Sequence, residues 1–62
     1  MYKLISKYNT LYVKDVIDTE SGGKLILWTN NIHHAKSFMF QEDLESYLID
    51  NNIFEDVLIL DI

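Results

Sequence analysis

The sequence predicts an α+β domain: a four-stranded antiparallel sheet in the order β-β-β-α-α-β, with two short helices on one face. Three observations lead there. Two early runs alternate apolar and polar positions and are rich in β-branched and aromatic residues, the pattern of half-buried strands, and a third short run is continuously apolar. A stretch in the second half spaces its apolar residues at helical intervals instead. The chain has 62 residues, too few for two cores, so residues 1–62 are expected to form a single compact domain.

The first strand is read over Tyr2 to Lys7 and the second over Thr10 to Ile17. In the second, Leu11, Val13 and Ile17 are assigned to one face, and Tyr12, Lys14 and Val16 to the other. Tyr8-Asn9 joins the two as a hairpin, since Asn tolerates the left-handed conformation of tight turns. Asp18-Thr19-Glu20-Ser21-Gly22-Gly23 holds both glycines of the chain and no apolar residue, which marks a loop. Lys24 to Thr29 reads as a third strand, apolar enough for both faces to be at least partly covered.

Thr29-Asn30-Asn31 supplies helix N-caps, because short polar side chains accept hydrogen bonds from free backbone amides. A short helix through Ile32, Ala35 and Phe38 is expected to follow. Gln41 to Asp50 is the stronger helix, with Leu44, Tyr47 and Leu48 clustered on one side. Asn51-Asn52 ends it, and Glu55 to Ile62 is the last strand. Short connections make the first three strands a meander. The helices return the chain so that the fourth strand lies beside the first. Trp28, Phe38, Phe40, Tyr47 and Phe54 are the aromatic residues assigned to the core. Tyr2, Tyr8 and Tyr12 sit in the hairpin, where some must be exposed. Leu58-Ile59-Leu60 is either central in the sheet or an edge that pairs with a second copy.

The composition, 48% apolar, is too hydrophobic for a disordered chain. A domain this small still buries only ~60% of the surface its unfolded chain exposes. There is no cysteine, so disulfides and thiolate metal sites cannot support it. Self-association as a homodimer, or docking on a partner, is the remaining support. The longest apolar runs, Leu25-Ile26-Leu27-Trp28 and Val57-Leu58-Ile59-Leu60, fall far short of the ~20 residues that span a bilayer. A soluble cytoplasmic protein with no membrane partner is expected.

Catalysis has little to build on. His33-His34 are adjacent, so they point to different sides of a helix, and no carboxylate at ligand spacing accompanies them. No metal and no cofactor are expected. Both glycines sit in one turn, so there is no phosphate-binding loop. Ser6, Ser21, Ser37 and Ser46 lack a nucleophile-elbow setting. The pairs Glu42/Asp43 and Glu55/Asp56 would need a pocket that drives their pKa values apart. The reading is a binding protein rather than an enzyme.

Charge is the informative feature. Residues 1–40 hold five lysines against Asp15, Asp18 and Glu20, whereas residues 41–62 hold seven acids and no base. Arginine is absent throughout. Direct nucleic-acid binding starts from a basic patch, so a reader of nucleic acid through Lys3, Lys7, Lys14 and Lys24 is disfavoured. Ordinary solvated helices interleave both signs to gain i,i+4 pairs; this one does not. The candidate partner-binding residues are therefore Glu42, Asp43, Glu45 and Asp50 on the helix, with Glu55 and Asp56 after it. Their partner would be a protein with a basic surface.

The stretch Leu25-Ile26-Leu27-Trp28-Thr29, then Asn30-Asn31-Ile32, Ala35-Lys36-Ser37-Phe38 and an acidic helix, resembles a layout in short proteins of Firmicute phages and prophages. It covers about 40 residues. The profile (tiny, acidic, cysteine-free, rich in Asn, Ile, Lys and Tyr) is similar to that of phage-encoded anti-CRISPR proteins, above all those acting on Cas9. The resemblance implies an inhibitor of a host defence protein that occupies a basic nucleic-acid-binding groove in the host cytoplasm. A homo-oligomeric structural or regulatory module is the alternative.

Overall fold

The computed structural model describes all 62 residues. Its elements are β1 (Tyr2–Ser6), β2 (Tyr12–Asp18), β3 (Lys24–Thr29), a 3-10 turn (Ile32–His34), α1 (Gln41–Asn51) and β4 (Val57–Asp61). The four strands form one antiparallel sheet in the order β3-β2-β1-β4. The expected meander and the return of the last strand beside the first are both present. The fold is α+β, but with one α-helix rather than two.

The second expected helix is a single 3-10 turn, and the reason lies in backbone bonding. Asn31 Oδ1 accepts from the His33 N–H at 2.9 Å, which starts the turn. Ala35 already has extended backbone and ends it. β1 and β2 share only one registered pair, Ile5 with Tyr12. Beyond that pair the backbone of residues 36–38 serves both strands. The Lys36 N–H donates to the Val13 carbonyl at 3.0 Å, and Tyr2 and Phe38 exchange bonds of 2.7 and 2.8 Å. Buried strand amides need partners, and an extended 36–38 segment meets that need where a helix would not. Lys3 Nζ adds bonds to the Ile32 and Ala35 carbonyls at 2.5 and 3.3 Å.

The face assignment in β2 also changes. Val13 pairs with Trp28, but Asp15 pairs with Leu27, so a β-bulge falls at Lys14. One extra residue reverses the alternation beyond it. Val16 therefore packs on the core, while Ile17 is exposed with its partner Leu25. Nor does Asn9 take the left-handed conformation; Asn52 is the only non-glycine residue with positive φ. Asn9 instead accepts from the Leu11 N–H at 2.9 Å, an Asx turn that spans a five-residue loop between Ser6 and Tyr12.

α1 lies on the sheet through Leu44 and Leu48, which join Leu4, Val13, Phe38, Ile53 and Val57 in one buried cluster. Asn52 closes the helix at φ 53° and ψ 46°. Its N–H reaches the Leu48 and Ile49 carbonyls, and Ile53 N–H donates to Leu48 at 3.3 Å. This left-handed stop drops Ile53 into the core and aims the chain at β4.

Candidate partner-binding surface

The helix that the core demands also builds the acidic surface. At 100° per residue, burying Leu44 and Leu48 turns Glu42, Glu45 and Ile49 into one outward row. Asp43 and Asp50 form a second row on the other side of Ser46. All of these residues are exposed. Glu55 and Asp56 follow in the turn before β4, Glu55 exposed and Asp56 half-buried. Asp56 is held there by its backbone, which donates to the Ile53 carbonyl and accepts from the Lys7 N–H. The structure thus gathers the four helical acids on one outward surface and sets Glu55 and Asp56 beyond its C-terminal end.

None of the six has a basic partner. The side-chain ion pairs of the chain are Lys24–Asp18 and Lys36–Asp15, the latter at 4.0 Å. Both pair a lysine of residues 1–40 with an acid of the same part. Lys3 is spent on backbone carbonyls. The ion pairs of the N-terminal part therefore stay within it, and the acids of α1 are left uncompensated. Glu42 and Asp43 gain from the positive end of the helix dipole. Asp50 sits at the negative end, where a carboxylate costs ~0.3–1 kcal/mol, and no basic residue occupies the last turn. Helix physics accounts for the first two acids but not for Asp50.

The surface is not purely acidic. Ile49 is 71% exposed at the C-terminal end of the Glu42–Glu45 row. Phe40 and Phe54, assigned to the core from sequence, are 62% and 52% exposed at the two ends of the helix. Phe40 is the N-cap residue with extended backbone, and Phe54 follows the buried Ile53 on the opposite side of the chain. Ile49 lies off the buried arc of the helical wheel, so its exposure was readable. The two phenylalanines were not, because they flank the helix rather than lie on it.

A second polar cluster escaped the sequence reading. Asp15 of β2, Lys36 and Tyr47 of α1 meet at one spot. Tyr47 Oη donates to Asp15 Oδ1 at 3.2 Å, and Lys36 Nζ lies 5.2 Å from the Tyr47 ring centroid. The same ring packs on Phe38 with centroids 5.1 Å apart. The Val16 N–H bond holds the Asp15 carboxyl below its ordinary range, with Lys36 and Tyr47 adding to the effect against some desolvation. Burial, the Asp15 charge and the bond to it push Tyr47 up to about 12. The cluster ties the helix to the bulged strand. Nothing in residue spacing links positions 15, 36 and 47.

Comparison with protein-family models, with curated proteins and with solved structures finds no match. No helix is long and apolar enough to cross a membrane.

Proposed function

We propose that this chain is a binding inhibitor whose α1 surface occupies a basic, nucleic-acid-binding groove on a host defence protein. The resemblance noted in the sequence makes a CRISPR effector of the Cas9 type the first target to try. The observation that carries the reading is the isolation of the charge: the acids of α1 share the outward face with an exposed isoleucine and have no base to pair with. Such a surface combines the two parts of a protein interface, an apolar anchor and a polar rim. The rim would steer the encounter with a basic groove, and Ile49 would slow dissociation. Inhibition needs no catalytic group, only exclusion of the nucleic acid.

The test is competition with DNA for a guide-loaded Cas9-type effector. Reversing Glu42, Asp43 and Glu45 to lysine should slow association by about 10-fold or more and flatten its salt dependence. Ile49→Ala should act on dissociation instead. Retained inhibition after the triple reversal, in a variant whose circular dichroism is unchanged, refutes the electrostatic mechanism. The homo-oligomeric alternative draws on one observation, the exposed Leu58 and Ile59 of an edge strand. Light scattering that found a stable dimer with no affinity for basic partners would favour it.

A further inference from the structure

The two edges of the sheet are not equivalent. β3 carries Lys24 and pairs with its neighbour across a bulge. Charged residues and bulges are the usual protection of an edge against added strands. β4 carries Asp61 at its end as β3 carries Lys24 at its start, but it has no bulge. It pairs with β1 through five consecutive registered pairs without a shift, and Leu58-Ile59-Leu60 is uncharged. Leu58 and Ile59 are 53% and 49% exposed.

The ladder says which backbone groups are free. Ile62 and Met1 exchange bonds of 2.9 and 3.1 Å at one end. At the other, Lys7 N–H donates to the Asp56 carbonyl at 3.1 Å. Bonded pairs alternate along an antiparallel ladder, so Leu60 and Leu58 also bond to β1. Val57, Ile59 and Asp61 therefore turn their N–H and C=O groups away from the sheet. These are three donors and three acceptors on a straight edge. Leu58 and Leu60 present side chains on one face of it, and Ile59 on the other.

Acids bracket this edge: Glu55 and Asp56 before it, Asp61 at its end. A second copy is a poor occupant. Pairing β4 antiparallel with β4 brings Asp61 of one copy towards Asp56 of the other; the N-terminal ammonium lies 3.9 Å from Asp61, but no base pairs with Glu55 or Asp56 to relieve the repulsion there. A segment with basic residues at its ends and apolar ones between meets both the charge and the side chains. We propose that β4 is a docking edge that accepts such a basic-apolar segment of a partner protein as a fifth strand. The acids would then select the occupant and repel the protein's own copies. This edge is distinct from the α1 surface, and its test does not depend on the α1 reading.

Asp56, which extends the ladder through its bond from Lys7, and Asp61 are five residues apart, ~17 Å along a strand, so the probe needs bases at about that separation. Isotope-labelled full-length protein would be titrated with the synthetic peptide Arg-Lys-Val-Thr-Val-Thr-Val-Lys-Arg and watched by NMR. A control peptide replaces every base with an acid. Saturable binding of the basic peptide is expected, with slowed amide exchange at Val57, Ile59 and Asp61. Ile59→Pro removes an outward N–H without touching the β1 ladder, which edge strands tolerate. It should weaken binding about tenfold, the worth of one hydrogen bond, while Ile59→Ala retains more affinity. If the proline variant does not fold, chemical synthesis with an N-methylated Ile59 removes the same donor and keeps the side chain. Reversal of Glu42, Glu45 and Asp50 should leave the slowed amide exchange at Val57, Ile59 and Asp61 in place, because the backbone groups that pair with the peptide belong to β4. The proposal is overturned if the basic peptide does not saturate or if the acidic peptide binds equally well. It is also overturned if blocking the Ile59 donor changes nothing, or if sedimentation shows β4-mediated dimers of the free protein.

Discussion

Tyr47→Phe isolates the bond between α1 and the bulged strand. The substitution keeps the ring against Phe38 and under Lys36, and deletes only the hydroxyl that donates to Asp15. Bonds to charged acceptors are worth ~1.5–3 kcal/mol. This one is long at 3.2 Å, and the Asp15 side chain is 51% exposed, so water can replace the lost donor. A cost of about 1 kcal/mol follows, near the value for neutral bonds. A rise in the tyrosine from 10.0 to about 12 would correspond to roughly 2.7 kcal/mol without screening. Solvent at the half-exposed pair reduces that towards the same figure. In a domain of this size about 1 kcal/mol lowers Tm by ~4–8 °C. The pH dependence gives an independent check. Because the folded tyrosine has the higher pKa, its contribution is complete below pH 10 and is lost as pH rises through about 12. Urea melts of the wild type should therefore converge on those of Tyr47→Phe over that interval. Asp15 works in the opposite sense. Its folded pKa is depressed from 3.8, so its contribution is present above that value and is lost as pH falls through the lower folded one. Asp15→Asn should flatten the acid limb. If Tyr47→Phe and wild type differ by the same amount at pH 8 and pH 12, or if the cost of Tyr47→Phe is undiminished in the Asp15→Asn background, the bond does not act as described.

Two further substitutions test the packing and the turn that hold the surfaces in place. Leu44 is fully buried beneath the acidic face, and Leu44→Ala should cost ~2–5 kcal/mol. A chain of this length is stable by only ~3–9 kcal/mol, so denaturant melts should find the variant close to unfolded. Asn52→Val should cost ~1–2 kcal/mol because a β-branched residue is strained at positive φ, whereas Asn52→Gly should stay within about 0.5 kcal/mol of wild type; equal stability of the two would remove the left-handed stop as a determinant of the fold.

The elements legible in the sequence were those set by local periodicity. β3 follows from a continuous apolar run after the glycine loop, α1 follows from apolar spacing, and the place of β4 beside β1 follows from connection lengths. What escaped depended on contacts between distant residues. The extended 36–38 segment exists because β1 and β2 part after one pair, a gap visible only once the sheet is assembled. The bulge at Lys14 is one residue in a run that alternates acceptably without it, and it exchanges Val16 for Ile17 in the core. Of the candidate surface, the acids were legible because charge does not depend on the partner's position in the chain. The outward turn of Phe40 and Phe54 was not. An aromatic residue beside a helix end can face either way, and here the extended cap and the buried Ile53 decide it.

The acids and the exposed apolar groups make more sense together than apart. A chain of this size cannot bury all its apolar residues, and Ile49, Phe40, Phe54 and Leu58 are left at the surface. Without charge they would favour indiscriminate association. Carboxylates around Ile49 and on both sides of Leu58 make such contacts costly for neutral or acidic surfaces, including further copies of the chain. Only a surface that offers bases as well as an apolar contact gains on both counts. In the proposed docking, repulsion would act as a filter, and specificity would arise from what the acids exclude as much as from what they attract. On this argument the uncompensated charge of α1 is not an alternative to the exposed isoleucine as the source of binding. In the proposed docking it would be what makes an exposed isoleucine tolerable, and selective, in so small a protein.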